Sequence, residues 1–195
     1  MNETSKAVKR RYSDPAFHLW YYRGDGIDVG SGPDPLGRFV GAFARMTSCR
    51  AWDLADGDAQ ELRGVGDNAY DFLNSSHCLE HLHDPYTGLR NWIRVVKPGG
   101  FVVVTVPDAA LYESWVWPSR WNRDHKWLFS MSRPRSADPP TFNVLELVGS
   151  QMREVATPER ITLVRDFWEP SAAGTDQTLA ANCESCIEFV LRKHG

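Results

Sequence analysis

The spacing of hydrophobic positions along this chain changes period several times. Gly26 to Val29 predicts a first strand, which breaks into the turn Gly30-Ser31-Gly32. Beyond Pro33, Pro35 and Gly37, Leu36, Phe39, Val40, Phe43 and Met46 recur at spacings of three and four, predicting a short amphipathic helix. Cys49 to Leu54 predicts a second strand ending on Asp53, and Ala55-Asp56-Gly57-Asp58 is an acidic, turn-rich link. Tyr70 to Asn74 has the short apolar character of a buried parallel strand. Asp84-Pro85 offers an N-cap followed by proline at the first helical position. Leu89, Trp92, Ile93 and Val96 supply that helix's apolar stripe, and Lys97-Pro98-Gly99-Gly100 stops it. Phe101 to Val106 is the strongest strand signal in the chain.

At either end the pattern is weaker. Met1 to Tyr22 reads as a loose arm closing on an aromatic anchor (Phe17, Leu19, Trp20, Tyr21, Tyr22), with Lys9-Arg10-Arg11 as a solvated surface. From Asp108 to about Pro140 regularity fails, although that segment is rich in tryptophan and proline. Thr141 to Met152 predicts a helix, and Arg160 to Trp168 and Cys183 to Arg192 predict two closing strands. Alternating strands and helices followed by two strands predict the α/β class, a three-layer sandwich on a mostly parallel sheet. The organisation expected is one domain over residues 1–195, with an arm at 1–22 and an irregular insertion at 109–140.

Composition narrows the classes. A hydrophobic content of 42% and a charged content of 24% are those of a soluble globular domain. A net charge of -3 gives no general attraction to nucleic acid or anionic membranes, so neither is expected as a partner. The first eleven residues are polar and basic with no apolar core, and a cytoplasmic location is the default expectation. Four cysteines in a chain of this size make no disulfide framework. Cys183 and Cys186 lack a second pair to complete a zinc site and are expected to pack as free thiols.

In an open parallel sheet, ligands gather beyond the carboxyl ends of the strands. The first strand ends at Asp28-Val29-Gly30-Ser31-Gly32, the second at Asp53, and the third on Ser75-Ser76-His77. A carboxylate at Asp53 suits two ribose hydroxyls, and Asp58-Ala59-Gln60 places another where an adenine amino group would lie. The glycine turn lacks the third glycine of a dinucleotide fingerprint, and Pro33 and Pro35 remove amides that would cradle a pyrophosphate. His77, His81 and His83 have a spacing that also occurs in metal clusters, but no carboxylate set clearly completes it, so no metal is expected.

Four motifs in order carry a family resemblance. Asp28-Val29-Gly30-Ser31-Gly32 resembles the glycine motif of the class I, Rossmann-like S-adenosylmethionine-dependent methyltransferases, and Asp58-Ala59-Gln60-Glu61-Leu62 is similar to their adenine-side segment. Tyr70 to Leu82 resembles their fourth-strand motif, and Val95 to Phe101 the turn before their fifth strand. The resemblance is close over 24–108 and implies a roughly seven-stranded sheet with its last strand antiparallel. Asp53 and Asp58 stand closer together than in many members, so the region after strand two is expected to be reduced. It also implies S-adenosyl-L-methionine as cofactor, held by Asp28, Val29, Gly30, Ser31, Gly32, Asp53, Leu54, Asp58, Ala59, Gln60, Ser76 and His77, and methyl transfer to a small molecule.

The residues beyond the core motifs suggest the acceptor. Aromatic and cationic side chains interleave over 111–135, and Tyr112, Trp117, Arg120, Trp121, His125 and Lys126 are the candidate substrate residues. His125 and His77 are the candidate catalytic residues, since imidazole titrates near neutrality. This favours a small polar acceptor, such as a sugar or glycan intermediate with an anionic group. The tryptophans read equally well as core filling or a homodimer contact. The alternative function is a non-catalytic module that binds the cofactor or a partner on the same fold.

Overall fold

The computed structural model describes residues 2–195. Its centre is a six-stranded sheet of order β2-β1-β3-β4-β9-β8, formed by β1 (Gly24–Val29), β2 (Met46–Trp52), β3 (Tyr70–Ser76), β4 (Val96–Pro107), β8 (Ala156–Val164) and β9 (Cys186–Lys193). β1 pairs in parallel with β2 and β3, and β3 in parallel with β4, while β9 runs antiparallel to both β4 and β8. Val102, Val103, Val104 and Val106 of β4 are fully buried, as a strand covered on both faces requires. One face packs under α2 (Pro85–Val95), whose Leu89, Trp92 and Ile93 are buried as its stripe predicts. Asp84 caps that helix by accepting from the amides of Tyr86 and Thr87. The Lys97–Gly100 turn is looped out of the β3–β4 ladder: Tyr70 pairs with Val96, and Phe72 already with Phe101.

The sheet has six strands rather than seven because residues 53–69 form turns in place of a helix and strand. That link is packed all the same. Leu62 is fully buried, and the Trp92 indole donates to the carbonyl of Ala59 at 2.8 Å.

The N-terminal segment is not a loose arm. It opens with α1 (Glu3–Arg11), followed by a single wide helical turn at Phe17–Tyr21. Nor is Lys9-Arg10-Arg11 simply a solvated surface: Arg11 is fully buried, and Arg10 pairs with Glu184 and Glu188. The insertion is less irregular than its sequence suggests, for β5 (Leu128–Ser130), β6 (Ser136–Ala137) and β7 (Pro140–Asn143) form a second sheet of order β5-β7-β6. The helix expected over Thr141–Met152 begins as β7, and only Val144–Glu146 (α3) and a wide turn at Leu147–Gln151 are helical. Leu36 to Met46 likewise yields only a tight helix at Leu36–Ala42, because Met46 already opens β2. The last two strands begin at Ala156 and Cys186, so Cys183 precedes its strand; all four cysteines are free.

Candidate active site

The carboxyl ends of β1, β2 and β3 open onto one cleft of about 420 Å³. Gly30, Asp53, Leu54, Asp58, Gln60, His77, Cys78, His81 and Lys126 are among the residues that line it.

The glycine turn sits at its base. Gly30 has φ +74°, and a Cβ there would lie 2.5 Å from the Cys78 side chain, so only glycine lets the end of β1 close against the residue after His77. The amides of Gly30 and Ser31 both donate to the carbonyl of Trp52, at 2.9 and 3.3 Å. Those donors are spent on β2. A phosphate would find no cradle in them.

Asp28 is not part of the lining. Its carboxylate is buried, accepting from the Leu36 amide at 2.7 Å and the Asn74 side-chain amide at 2.5 Å. Burial pushes its pKa up to about 6 despite both bonds. Its work is to tether the Pro33–Pro35 loop to the end of β1. Val29 is buried, and Val29, Ser31 and Gly32 lie outside the lining, as does Ser76, whose hydroxyl faces His77 Nδ1 at 3.0 Å.

Asp53 and Leu54 lie just beyond β2, at the rim. Leu54 is 92% exposed, an apolar side chain offered to the cleft without a partner of its own. Asp58 Oδ1 accepts from the amides of Gln60 and Glu61, holding the adenine-side turn in shape, while Oδ2 makes no hydrogen bond among the described residues. His77 adopts a left-handed backbone, φ +54°, pinned by its amide donating to the Thr105 carbonyl at 2.9 Å. Burial, reinforced by the nearby His125, pushes its imidazole down to about 3, so it stays neutral at physiological pH.

The candidate acceptor residues divide. Of them only Lys126 lines the cleft; Tyr112, Trp117, Arg120, Trp121 and His125 do not. Tyr112 is buried with its hydroxyl toward Asp176 at 3.4 Å, and Arg120 is exposed. Among the tryptophans, Trp127 packs against the main core and donates to the Leu82 carbonyl at 3.0 Å, the core-filling role also weighed for this segment. His125 lies behind the wall with Nδ1 bonded to Glu113 Oε1 at 2.7 Å. Burial works against its protonation, but the Glu113 hydrogen bond and the Glu80 carboxylate outweigh it and raise its pKa above the ordinary value. Glu80 and Glu113 escaped the sequence reading; carboxylates at 0% and 3% exposure carry no periodic signal to mark them as buried.

Three comparisons bear on this geometry. Residues 28–104 match the family model of the methyltransferase domain. That match spans fewer than half of the chain's residues and is a similarity to the family over that segment. An uncharacterized methyltransferase of Schizosaccharomyces pombe is 38% identical over 58 residues, which are 30% of this chain and 20% of that relative. The chain thus spans only a fifth of that protein's length. Among solved structures, a Listeria monocytogenes protein assigned provisionally to the S-adenosylmethionine-dependent methyltransferases superposes with a TM-score of 0.59 at 10% identity, covering 98% of this chain and 100% of that one. The 1,6-didemethyltoxoflavin-N1-methyltransferase of Burkholderia thailandensis, with S-adenosylhomocysteine bound, superposes with a TM-score of 0.56 at 18% identity, covering 98% and 80%. At these identities the likeness is one of fold. It extends the methyltransferase architecture beyond the matched residues into β8 and β9.

Proposed function

We propose that this protein transfers a methyl group from S-adenosylmethionine to a small polar acceptor bearing an anionic group. The observation that carries the reading is the single cleft uniting Gly30, Asp53, Leu54, Asp58 and His77 at the ends of three parallel strands. Its chemistry fits that cofactor. The turn amides are already bonded to Trp52, the rim carries Asp53, Asp58 and exposed Leu54, and His77 is held neutral beside the place a sulfonium would occupy. A protonated imidazole there would repel the cation; a neutral one does not.

When bound, the cofactor supplies the electrophilic methyl group. The chain's residues supply alignment. Asp53 would accept from the ribose hydroxyls, Leu54 would cover a face of the adenine, and Asp58 Oδ2 would receive its amino group. Holding both reactants in line contributes on the order of 7–11 kcal/mol, most of what such a transfer needs from a protein. Lys126, which also lines the cleft, offers its ammonium to an anionic acceptor such as a sugar acid or phosphorylated sugar, although Asp124 Oδ1 lies 3.2 Å from it.

Isothermal calorimetry with S-adenosylmethionine and S-adenosylhomocysteine is expected to give micromolar dissociation constants. S-adenosylhomocysteine release should then appear on adding sugar acids or sugar phosphates. Absence of heat with either nucleoside would end the enzymatic reading. Binding without turnover on any acceptor would point to the non-catalytic module.

A further inference from the structure

Behind the acceptor wall lies a cluster that methyl transfer as described above does not use. Glu80, in the tight turn Leu79–His81 that follows β3, is fully buried, and neither of its carboxylate oxygens has a hydrogen-bond partner among the described residues. Two imidazoles face it. His81 Nε2 and His125 Nε2 each stand 4.0 Å from Glu80 Oε1, and their rings meet edge to face with centroids 4.9 Å apart. That separation is too long for a hydrogen bond.

The far nitrogens explain the orientation. His125 Nδ1 lies 2.7 Å from Glu113 Oε1, and His81 Nδ1 lies 2.9 Å from Asp124 Oδ2. A carboxylate accepting a hydrogen bond from Nδ1–H orients each ring and turns its Nε2 toward Glu80. The Lys126 amide, donating to the Glu80 carbonyl at 2.8 Å, fastens the segment carrying Asp124 and His125 to the Glu80 turn. Two imidazole Nε2 atoms and a buried carboxylate without a hydrogen-bond partner therefore converge on one point, where a bound cation would satisfy all three.

We propose that Glu80, His81 and His125 bind a divalent zinc ion, with Glu113 and Asp124 as the carboxylates that orient the two histidines. One ligand atom from each of the three lies within 4.8 Å of the others. Tetrahedral zinc with legs of about 2.0–2.2 Å needs edges of roughly 3.4 Å, so the ligands close by about 1 Å on binding. Two imidazoles with one carboxylate suit zinc over magnesium or calcium, which take oxygen ligands. Three protein ligands leave a fourth position open. His81 is the ligand that reaches the cleft lining, so that position lies on the cleft side, where it takes a hydroxyl or carboxylate oxygen of the acceptor. This role rests on the methyl-transfer reading; the site itself does not.

The test is zinc titration of chelator-stripped protein in competition with a chromophoric chelator, with S-adenosylhomocysteine binding measured on the same samples. One equivalent is expected, with affinity lowered at least about a hundredfold in Glu80→Gln and in His81→Ala, and unchanged in His83→Ala, whose imidazole lines the cleft outside the cluster. Zinc at a hundredfold excess over its dissociation constant should raise the Tm of the wild type by roughly 5–10 °C and leave Glu80→Gln unmoved. Without zinc, Glu80→Gln should melt no lower than wild type, since it removes an unpaired buried charge; if it fails to fold, half-buried His81→Ala carries the comparison. Zinc binding that is absent, or equally tight in Glu80→Gln and His81→Ala, overturns the site. S-adenosylhomocysteine binding that persists in that case leaves the cofactor reading standing, and zinc binding without it does the reverse.

Discussion

At the scale of single residues, position relative to the cleft separates lining residues from those that support it. Asp28 and Gly30 share one motif, yet Asp28 tethers Leu36 and Asn74 while Gly30 makes room for Cys78. Substituting either disturbs the fold first, so neither isolates cofactor binding. Leu54 does, being 92% exposed with nothing packed upon it. Covering such a side chain with a nucleobase gains about 1–2 kcal/mol. Leu54→Ala is accordingly expected to weaken S-adenosylhomocysteine five- to thirtyfold by calorimetry. Leu179→Ala, at an equally exposed leucine outside the cleft, should leave it unchanged. Equal affinities in the two variants would show that Leu54 covers no base. The rim residues were legible in the sequence because turn chemistry and strand ends are local. Glu80 and Glu113 were not, because a buried carboxylate is marked only by its distant partners.

At the scale of elements, α1 is the clearest case of a segment whose pattern misleads. Its buried positions are Thr4, Lys6, Ala7, Val8 and Arg11, and three of these five are polar, so no hydrophobic stripe appears. Arg11 donates to Glu188, Tyr22, Asn74 and Thr105, and Asn74 passes the connection on to Asp28. Ser5 donates to Asp34 through both its amide and its hydroxyl. A helix read as an appendage thus clasps both β9 and the loop that follows β1.

Glu188 gives this clasp a pH signature. Burial alone would raise its pKa, but the Arg11 and Arg10 guanidiniums outweigh it and bring the group to about 2, below the ordinary 4.5. A depressed carboxylate stabilises the fold fully above about pH 4.5 and loses that contribution as pH falls toward 2. The difference amounts to roughly 3 kcal/mol. Denaturant unfolding of Glu188→Gln should show lower stability than wild type at pH 7 and a shallower loss between pH 4.5 and 2. Parallel curves over that interval would mean that Glu188 does not carry the coupling. Asp28 acts with opposite sign: with its pKa raised to about 6, its contribution is intact below about 3.8 and is lost as pH rises through 6.

At the scale of the whole molecule, the shortened crossover decides what the cleft can hold. A parallel pair needs a long connection, commonly a helix, to return over the sheet. From β2 to β3 this chain makes the return with turns, anchored by buried Leu62 and by Trp92 on Ala59. The mostly parallel sheet and a cleft beyond its carboxyl strand ends were legible because they follow from alternation and connection rules. The second sheet was not, since β5, β6 and β7 are each too short to show a period. The compact return places Asp58 and Gln60 on the same cleft as Gly30 and His77, so a ligand there bridges three strands and the crossover and binds only the folded state. At a hundredfold excess over its dissociation constant, such a ligand stabilises by about 2.7 kcal/mol, or roughly 5–10 °C in Tm for a chain of this length. S-adenosylhomocysteine is expected to give that shift. NAD at the same concentration should give none, because the Gly30 and Ser31 amides that would meet its diphosphate are bonded to Trp52 and prolines stand at 33 and 35. Equal shifts with the two ligands would return the glycine turn to a general nucleotide site and remove the sulfonium from the argument.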